Sequence, residues 1–227
     1  MSRPARLAVE DGPEVLHGIF EVSRETVERL TTYVNLLLHW QKAQNLVAPS
    51  TLPEAWRRHV ADSLQVVAMV PDAARWADLG SGAGFPGLVT AMVQMERLPG
   101  AHVHLIESNS RKAAFLRTVI RETGCPATVH AARIEDVSGE LAGEIDAVSA
   151  RALADLSELL TYAEPFSNHG APAIFHKGKN FRDEVARAAH AWEFDLVERE
   201  SLIDPDSRLL MISGLRPRGA TGKGQTG

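Results

Sequence analysis

The sequence predicts an α/β protein: a mostly parallel sheet covered by helices on both faces, preceded by a helical extension. Three observations carry this. From Arg75 onward, short apolar runs alternate with stretches of helical period, the pattern of strands joined by crossover helices. Between the first such strand and the first such helix lies Gly80-Ser81-Gly82-Ala83-Gly84-Phe85-Pro86-Gly87, a turn in which backbone approaches a ligand where side chains would collide. The next strand closes on an acid, Glu107, at the distance where a ribose-binding carboxylate is expected.

The 227 residues, 44% of them hydrophobic, suit one domain with a real core and a small extension. A single cysteine, Cys125, excludes an internal disulfide and a cysteine-rich metal site. No apolar run reaches the length of a bilayer span, and residues 1–12 lack the apolar core of a signal peptide. The expected location is cytoplasmic. A formal net charge of −5 argues against broad, non-specific nucleic-acid binding but leaves room for a local basic patch.

Residues 1–14 read as a flexible N-terminus, punctuated by Pro4, Gly12 and Pro13. Residues 15–71 read as the helical extension. Helical spacing runs from about Val15 to Gln44, with Leu30, Val34, Leu37 and Leu38 as the apolar stripe and Ser23 as a candidate cap. A second helix begins at Thr51 or Pro53 and carries Trp56, His59, Val60, Leu64 and Val67 before Pro71 ends it. Residues 72–215 form the α/β core. Its strands are expected at 75–79, 103–107, 128–130, 145–149 and 172–176, with a late, antiparallel pair at 194–200 and 208–213. Its helices are expected at 85–96, 112–123, 153–162 and 181–192, the second capped by Asn109 or Ser110. Residues 216–227 read as a flexible basic tail.

Gly80, Gly82, Gly84 and Gly87 leave the turn free of obstruction, and the following helix offers unpaired amide donors at its start. Gly82-x-Gly84-x-x-Gly87 also fits a dinucleotide pattern, so a nicotinamide oxidoreductase is a competitor. Asp78, at the end of the first strand, disfavours a pyrophosphate there and better suits a cationic ligand such as S-adenosylmethionine, which carries a sulfonium and an ammonium. Asp78 also reads as a turn or cap acid. Glu107 would accept from both ribose hydroxyls. Phe85 serves either the ligand or the core.

Further polar residues carry two readings each. His59 and Asp62 lie three apart and share a helix surface, with Ser63 beside it. They shape a target-base pocket or close over the cofactor; alternatively they fasten the extension to the sheet. Two such ligands without nearby cysteines make a metal site unexpected. Arg57, Arg58, Arg111, Lys112, Arg133, Lys177, Lys179 and Arg182 are expected to surround one positive opening that guides a phosphate backbone. His102, His104 and His130 read as strand or surface residues, and Trp40 and Trp56 as helix packing.

The chain resembles the bacterial RsmG family, also called GidB. The resemblance runs, in order, through Asn45-Leu46, Arg58-His59-Val60-Ala61-Asp62-Ser63-Leu64 and Asp78 to Gly87. It continues through Glu107-Ser108-Asn109-Ser110-Arg111-Lys112, Phe115-Leu116, Arg133-Ile134-Glu135, Ser149-Ala150-Arg151-Ala152 and Lys177-Gly178, and so covers roughly residues 20–213. It implies a class I S-adenosylmethionine-dependent methyltransferase fold, Rossmann-like with a seven-stranded sheet, acting as a monomer. The implied activity is methylation of N7 of a guanine in 16S ribosomal RNA, free or in the small subunit or its precursor, with S-adenosylhomocysteine as second product. It further implies that Gly80 and Phe85 line the cofactor pocket, that Glu107 lies beside the ribose, and that Ile134 and Glu135 flank the adenine. Arg151 then sits near cofactor and base. Guanine N7 has an in-plane lone pair, so no general base is required, and the chemistry rests on alignment. Arg151, Arg133 and Lys177 are accordingly expected to position substrate or cofactor anions, with His59, Asp62, Ser63, Arg111 and Lys112 on the substrate side.

Overall fold

The computed structural model describes residues 10–219. The expectations for residues 1–9 and 220–227 lie outside them. Helical spacing was expected from Val15 to Gln44, with Ser23 capping one of its helices; a single 3-10 turn covers Pro13–Leu16, and helix α1 spans Arg24–Gln41. The break falls where Ser23 takes an extended conformation and its Oγ accepts from the Thr26 N–H at 3.0 Å, capping the new helix. The second helix is irregular. Trp56–Ala61 is wound as a π-helix and passes into α2, Asp62–Met69. Its free starting amides are met from far away: the Asp11 carboxylate accepts from Trp56 N at 3.1 Å and Arg57 N at 2.7 Å.

The core follows with β1 (Arg75–Leu79), α3 (Gly87–Arg97), β2 (His102–Ile106), α4 (Ser110–Thr123) and β3 (Ala127–His130). After these come α5 (Ile134–Leu141), β4 (Ala147–Arg151), α6 (Leu156–Ser167), β5 (Ala173–Lys177), α7 (Phe181–Ala188), β6 (Trp192–Glu200) and β7 (Arg208–Pro217). Asn109 is the cap of α4, its Oδ1 accepting from Arg111 N and Lys112 N. Helix α5 was not expected. It is short, and Arg133 at its start supplies no side-chain cap. Helix α6 starts three residues later than expected because Asp155, by accepting from Glu158 N, fixes its first turn. Strand β7 runs on to Pro217, so Arg216 and Pro217, expected in the tail, are sheet residues, and Arg216 pairs with Glu193 at 2.8 Å.

The seven strands lie in the order β3-β2-β1-β4-β5-β7-β6. The first five are parallel; β7 runs antiparallel to β5 and β6. Strand β1 sits where the order reverses, with β2 on one side and β4 on the other. Crevices outside the carboxyl ends of strands open at such a point. Both sheet faces are buried. On one, Trp76, Val103 and Leu105 pack with Phe115 of α4 and with Leu30, Tyr33, Leu37 and Leu64 of the extension. On the other, Leu79, Ile106, Val148 and Phe175 pack under Leu159, Leu160 and Phe166 of α6. The extension thus shares the sheet's own core and is fixed against the β1 side. Among the described residues, no helix is long and apolar enough to cross a membrane.

Candidate active site

Three adjoining hollows lie along the carboxyl edge of the parallel strands. The first, about 350 Å³, lies between the glycine turn and the extension, and is bordered by Gly82, Phe85, Thr51, His59 and Arg151. The second, about 310 Å³, is bordered by Glu107, Arg133, Ile134, Glu135 and Leu153. The third, about 210 Å³, lies at the ends of β4 and β5, bordered by Arg58, Asp62, His176 and Lys177. Gly80, Lys112 and Ala152 border both the first and the second; Arg151 and Ala152 border both the first and the third. Ala152, where all three meet, has φ 53° and is the only non-glycine in the left-handed region among the described residues. Such strain costs about 1 kcal/mol or more and gathers at functional sites.

The glycines divide into two kinds. At Gly82 (φ 57°) an added Cβ would meet only Gly80 O, at 3.7 Å, so the space beside this residue is open. At Gly84 (φ 94°) the same atom would come within 2.3 Å of Leu88 and 2.9 Å of the Tyr33 hydroxyl, and at Gly87 within 2.6 Å of the Asp78 carboxylate. Gly82 therefore faces open space; Gly80 (φ 61°) borders the hollows but is covered by the Leu153 side chain, which an added Cβ would displace, and Gly84 and Gly87 are packing positions that bring α1 and α3 against the turn.

Asp78 lines none of the three hollows. It is buried beneath the turn, where its Oδ1 accepts from Ser149 Oγ at 2.6 Å and its Oδ2 has no partner among the described residues. Burial pushes its carboxyl up to about 6, against the hydrogen bond from Ser149 that opposes the shift; Ser81 Oγ donates instead to the Asp78 backbone carbonyl at 2.9 Å. The contacts of Asp78 join β1 to β4. Glu107 is where the pattern placed it: Oε2 accepts from Gly82 N at 2.8 Å and Oε1 from Asn109 N at 2.7 Å. Each oxygen keeps a second lone pair.

Phe85 is buried and also reaches the hollow's edge. It borders the first hollow and lies in a stack of three rings, with Tyr33 at 4.9 Å on one side and His59 at 5.0 Å on the other. The Tyr33 hydroxyl donates to Ala83 O, fixing the turn to α1. His59 Nε2 lies 2.8 Å from Thr51 Oγ1. Burial first, then the nearby Arg151 guanidinium, lowers the His59 pKa to about 3. Ser63 points away; fully buried, it donates to His59 O within the helix.

Arg151 donates from Nη2 to Arg58 O at 2.7 Å and lies 3.4 Å from Asp62 Oδ2; its buried Nη1 has no partner among the described residues. Burial lowers its pKa, Asp62 opposing. Burial alone would raise Asp62, but His176 and Arg151 outweigh it and hold the carboxyl at about 2. Asp62 is thus an ionised anchor for Arg151 and His176, and its Oδ1 also accepts from Gln65 Nε2 at 3.0 Å.

The expected ring of cations is only partly assembled. Arg58, Lys112, Arg133, Arg151 and Lys177 border the hollows; Arg57, Arg111, Lys179 and Arg182 do not. Several are committed to acids. Arg58 pairs with Asp204 at 3.3 Å, and the Lys177 ammonium is buried between Glu184 and Ala154 O. Lys177 was expected to meet substrate anions; its charge is spent inside the protein. Among the described residues Lys112 and Arg133 have no ion-pair partner, and they face the opening. Ala152, Leu153 and Thr51 border the site and were not singled out from the sequence as site residues. No residue type at those positions carries a chemical signal, and the positive φ of Ala152 is a property of the fold.

A sequence model of the family described as "GidB: rRNA small subunit methyltransferase G" matches residues 26–208. A Ribosomal RNA small subunit methyltransferase G from Rhizobium etli is 51% identical over 203 residues, covering 88% of this chain and 98% of its own. A protein of the same name from Rhizobium meliloti is 48% identical over 208 residues, covering 90% and 96%. Among solved structures, an O-methyltransferase from Bacillus cereus in complex with SAH aligns with TM-score 0.55 at 12% identity, over 88% of this chain and 95% of that one. The O-methyltransferase TomG from Streptomyces achromogenes, in complex with SAM, aligns with TM-score 0.55 at 15% identity, over 87% and 93%. These structures share the fold.

Proposed function

The chain belongs to the rRNA small subunit methyltransferase G family, and from that premise we propose how its residues divide the work of transferring a methyl group from S-adenosylmethionine to N7 of a guanine in 16S ribosomal RNA. The observation that carries the reading is the open cradle at Gly82, tied by its N–H to Glu107 and continuous through Ala152 with a hollow at the ends of β4 and β5. S-adenosylmethionine supplies an electrophilic methyl on sulfur; as the N7–carbon bond forms, the sulfur–carbon bond breaks, its electron pair stays on sulfur, and the purine becomes the cation.

Gly80 and Gly82 admit the cofactor's backbone-hugging portion, and Glu107 takes the ribose hydroxyls on its remaining lone pairs. Ile134, Glu135 and Leu153 bound the second hollow, which takes the adenine. Phe85 forms the floor of the first hollow. Arg151, held by Arg58 O and Asp62, positions an anionic or carbonyl oxygen of cofactor or base. Asp78, Gly84, Gly87, Ser63 and Lys177 act indirectly, by fixing the turn and strand ends. No side chain is asked to remove a proton, so orientation supplies the rate.

Lys112 and Arg133 supply phosphate contacts at the rim, and the substrate is small-subunit RNA, free or in the subunit or its precursor, approached by a monomer. The test is incubation with methyl-labelled S-adenosylmethionine and small-subunit RNA, followed by nucleoside analysis. Labelled 7-methylguanosine is expected. Label on any other atom overturns the guanine-N7 assignment, and the absence of label in RNA overturns the activity.

A further inference from the structure

The direction of every proton around His59 can be worked out. Thr51 Oγ1 lies 2.8 Å from Ala48 O, and a carbonyl only accepts, so the hydroxyl's one proton goes there. The same oxygen lies 2.8 Å from His59 Nε2, and with its proton assigned to Ala48 O it accepts from Nε2–H. The imidazole is fixed in its Nε2–H tautomer. Nδ1 then carries the bare lone pair, and it has no partner among the described residues. The ring is locked in place by its stack on Phe85 and borders the first hollow together with Arg151. Burial and the neighbouring guanidinium keep the ring neutral far below pH 7, so the lone pair persists.

A hollow bordered by an imidazole acceptor, with the Arg151 guanidinium buried behind it and its Nη1 unpartnered among the described residues, matches one base edge. Guanine presents O6, an acceptor, next to N1–H, a donor. Adenine presents the reverse order, an amine followed by a bare N1. An approach through O6 and N1 leaves N7 uncovered. We propose that His59 Nδ1 accepts the N1–H of the incoming guanine, making His59 a specificity-determining residue and Thr51 the positioning residue that fixes its tautomer. This deepens the guanine-N7 reading and rests on it.

The test uses small-subunit RNA in which the guanosine modified by the wild-type enzyme is replaced by inosine or by 1-methylguanosine. Inosine keeps O6 and N1–H; 1-methylguanosine loses N1–H. The wild-type protein is expected to methylate guanosine and inosine comparably and to lose about tenfold or more in kcat/KM on 1-methylguanosine. His59→Phe keeps a ring on Phe85 but has no lone pair. It should lose about tenfold on guanosine and narrow the gap to 1-methylguanosine, a loss larger than any change in its affinity for S-adenosylhomocysteine. Thr51→Val, which frees the tautomer, should reproduce part of that loss, again beyond any change in cofactor affinity. Unimpaired wild-type turnover of 1-methylguanosine overturns the proposal, and this arm needs no variant to fold. So does a His59→Phe effect confined to cofactor binding. If the wild-type protein forms no 7-methylguanosine at all, the parent reading fails, and the proposal with it.

Discussion

Replacing Gly82 by aspartate probes the cradle at its most open point. The residue has φ 57°, which costs an L-amino acid about 1–2 kcal/mol, and aspartate is among the side chains that tolerate it best. No clash adds to this, because the Cβ would meet only Gly80 O at 3.7 Å. The protein should fold, with a modest loss of stability. The side chain then has only the hollow to enter, beside the carboxylate of Glu107 that holds the Gly82 N–H at 2.8 Å. Two like charges about 4 Å apart repel by roughly 4 kcal/mol at an effective dielectric constant near 20. That repulsion is already present in the free protein and adds to the stability loss; a bound ligand strengthens it by displacing water, and if the increase is about a third of this value, affinity falls about tenfold. Calorimetry with S-adenosylhomocysteine, alongside thermal melting, measures both parts. Gly82→Asn has the same volume without the charge and should bind about tenfold more tightly than Gly82→Asp. Wild-type affinity in a folded Gly82→Asp would refute the placement of the ligand; equal losses in the two variants would refute the electrostatic part.

Asp78 has a folded-state pKa raised to about 6 from 3.8, so its proton favours the folded state and stability is lost as pH rises through that window. Asp78→Asn should gain stability relative to wild type between about pH 4 and 6, read from urea midpoints; a flat difference would show that Asp78 is not desolvated. His104, whose Nδ1 lies 3.0 Å from His130 Nε2, has a pKa lowered to about 4 from 6.5, burial being the first cause and the other histidines adding to it. The unfolded chain takes up that proton first, so this contribution is present above pH 6.5 and lost as pH falls toward 4. His104→Gln should flatten that decline in the same denaturation series. Lys112→Ala and Arg133→Ala should each weaken RNA binding and lower the slope of log affinity against log salt by about 0.7–0.9; an unchanged slope would place that residue away from the phosphates.

The parallel core was legible because its strands are apolar on both faces and its turns carry glycine; β1 begins and ends at the expected residues. Glu107 was legible for the same reason, a fixed distance from the turn. What the sequence concealed depends on contacts between distant segments. Asp78 reads as a ligand acid by position, yet Ser149 lies directly beside it on β4, 71 residues later. Lys177 reads as a free cation until α7 folds back and supplies Glu184. The irregular winding of Trp56–Ala61 has no propensity signal, and α5, with its Ile134, Val137 and Leu141 spacing, is only eight residues long, has no side-chain cap and holds Gly139 inside it. The chemistry of the site was therefore readable as residue types, while the division between ligand-facing and supporting residues needed the fold.

Asp11 belongs to the stretch expected to be a flexible N-terminus, yet it clasps the start of the segment that carries His59, and the Glu10 N–H donates to Pro53 O at 2.7 Å. A shortened version of the protein starting at residue 12 would leave two amides at the head of that segment unclasped. Its most sensitive casualty would be the angle at which the imidazole meets its guest, long before any global unfolding. Trimming the front of this chain for crystallisation is thus an intervention beside the candidate site.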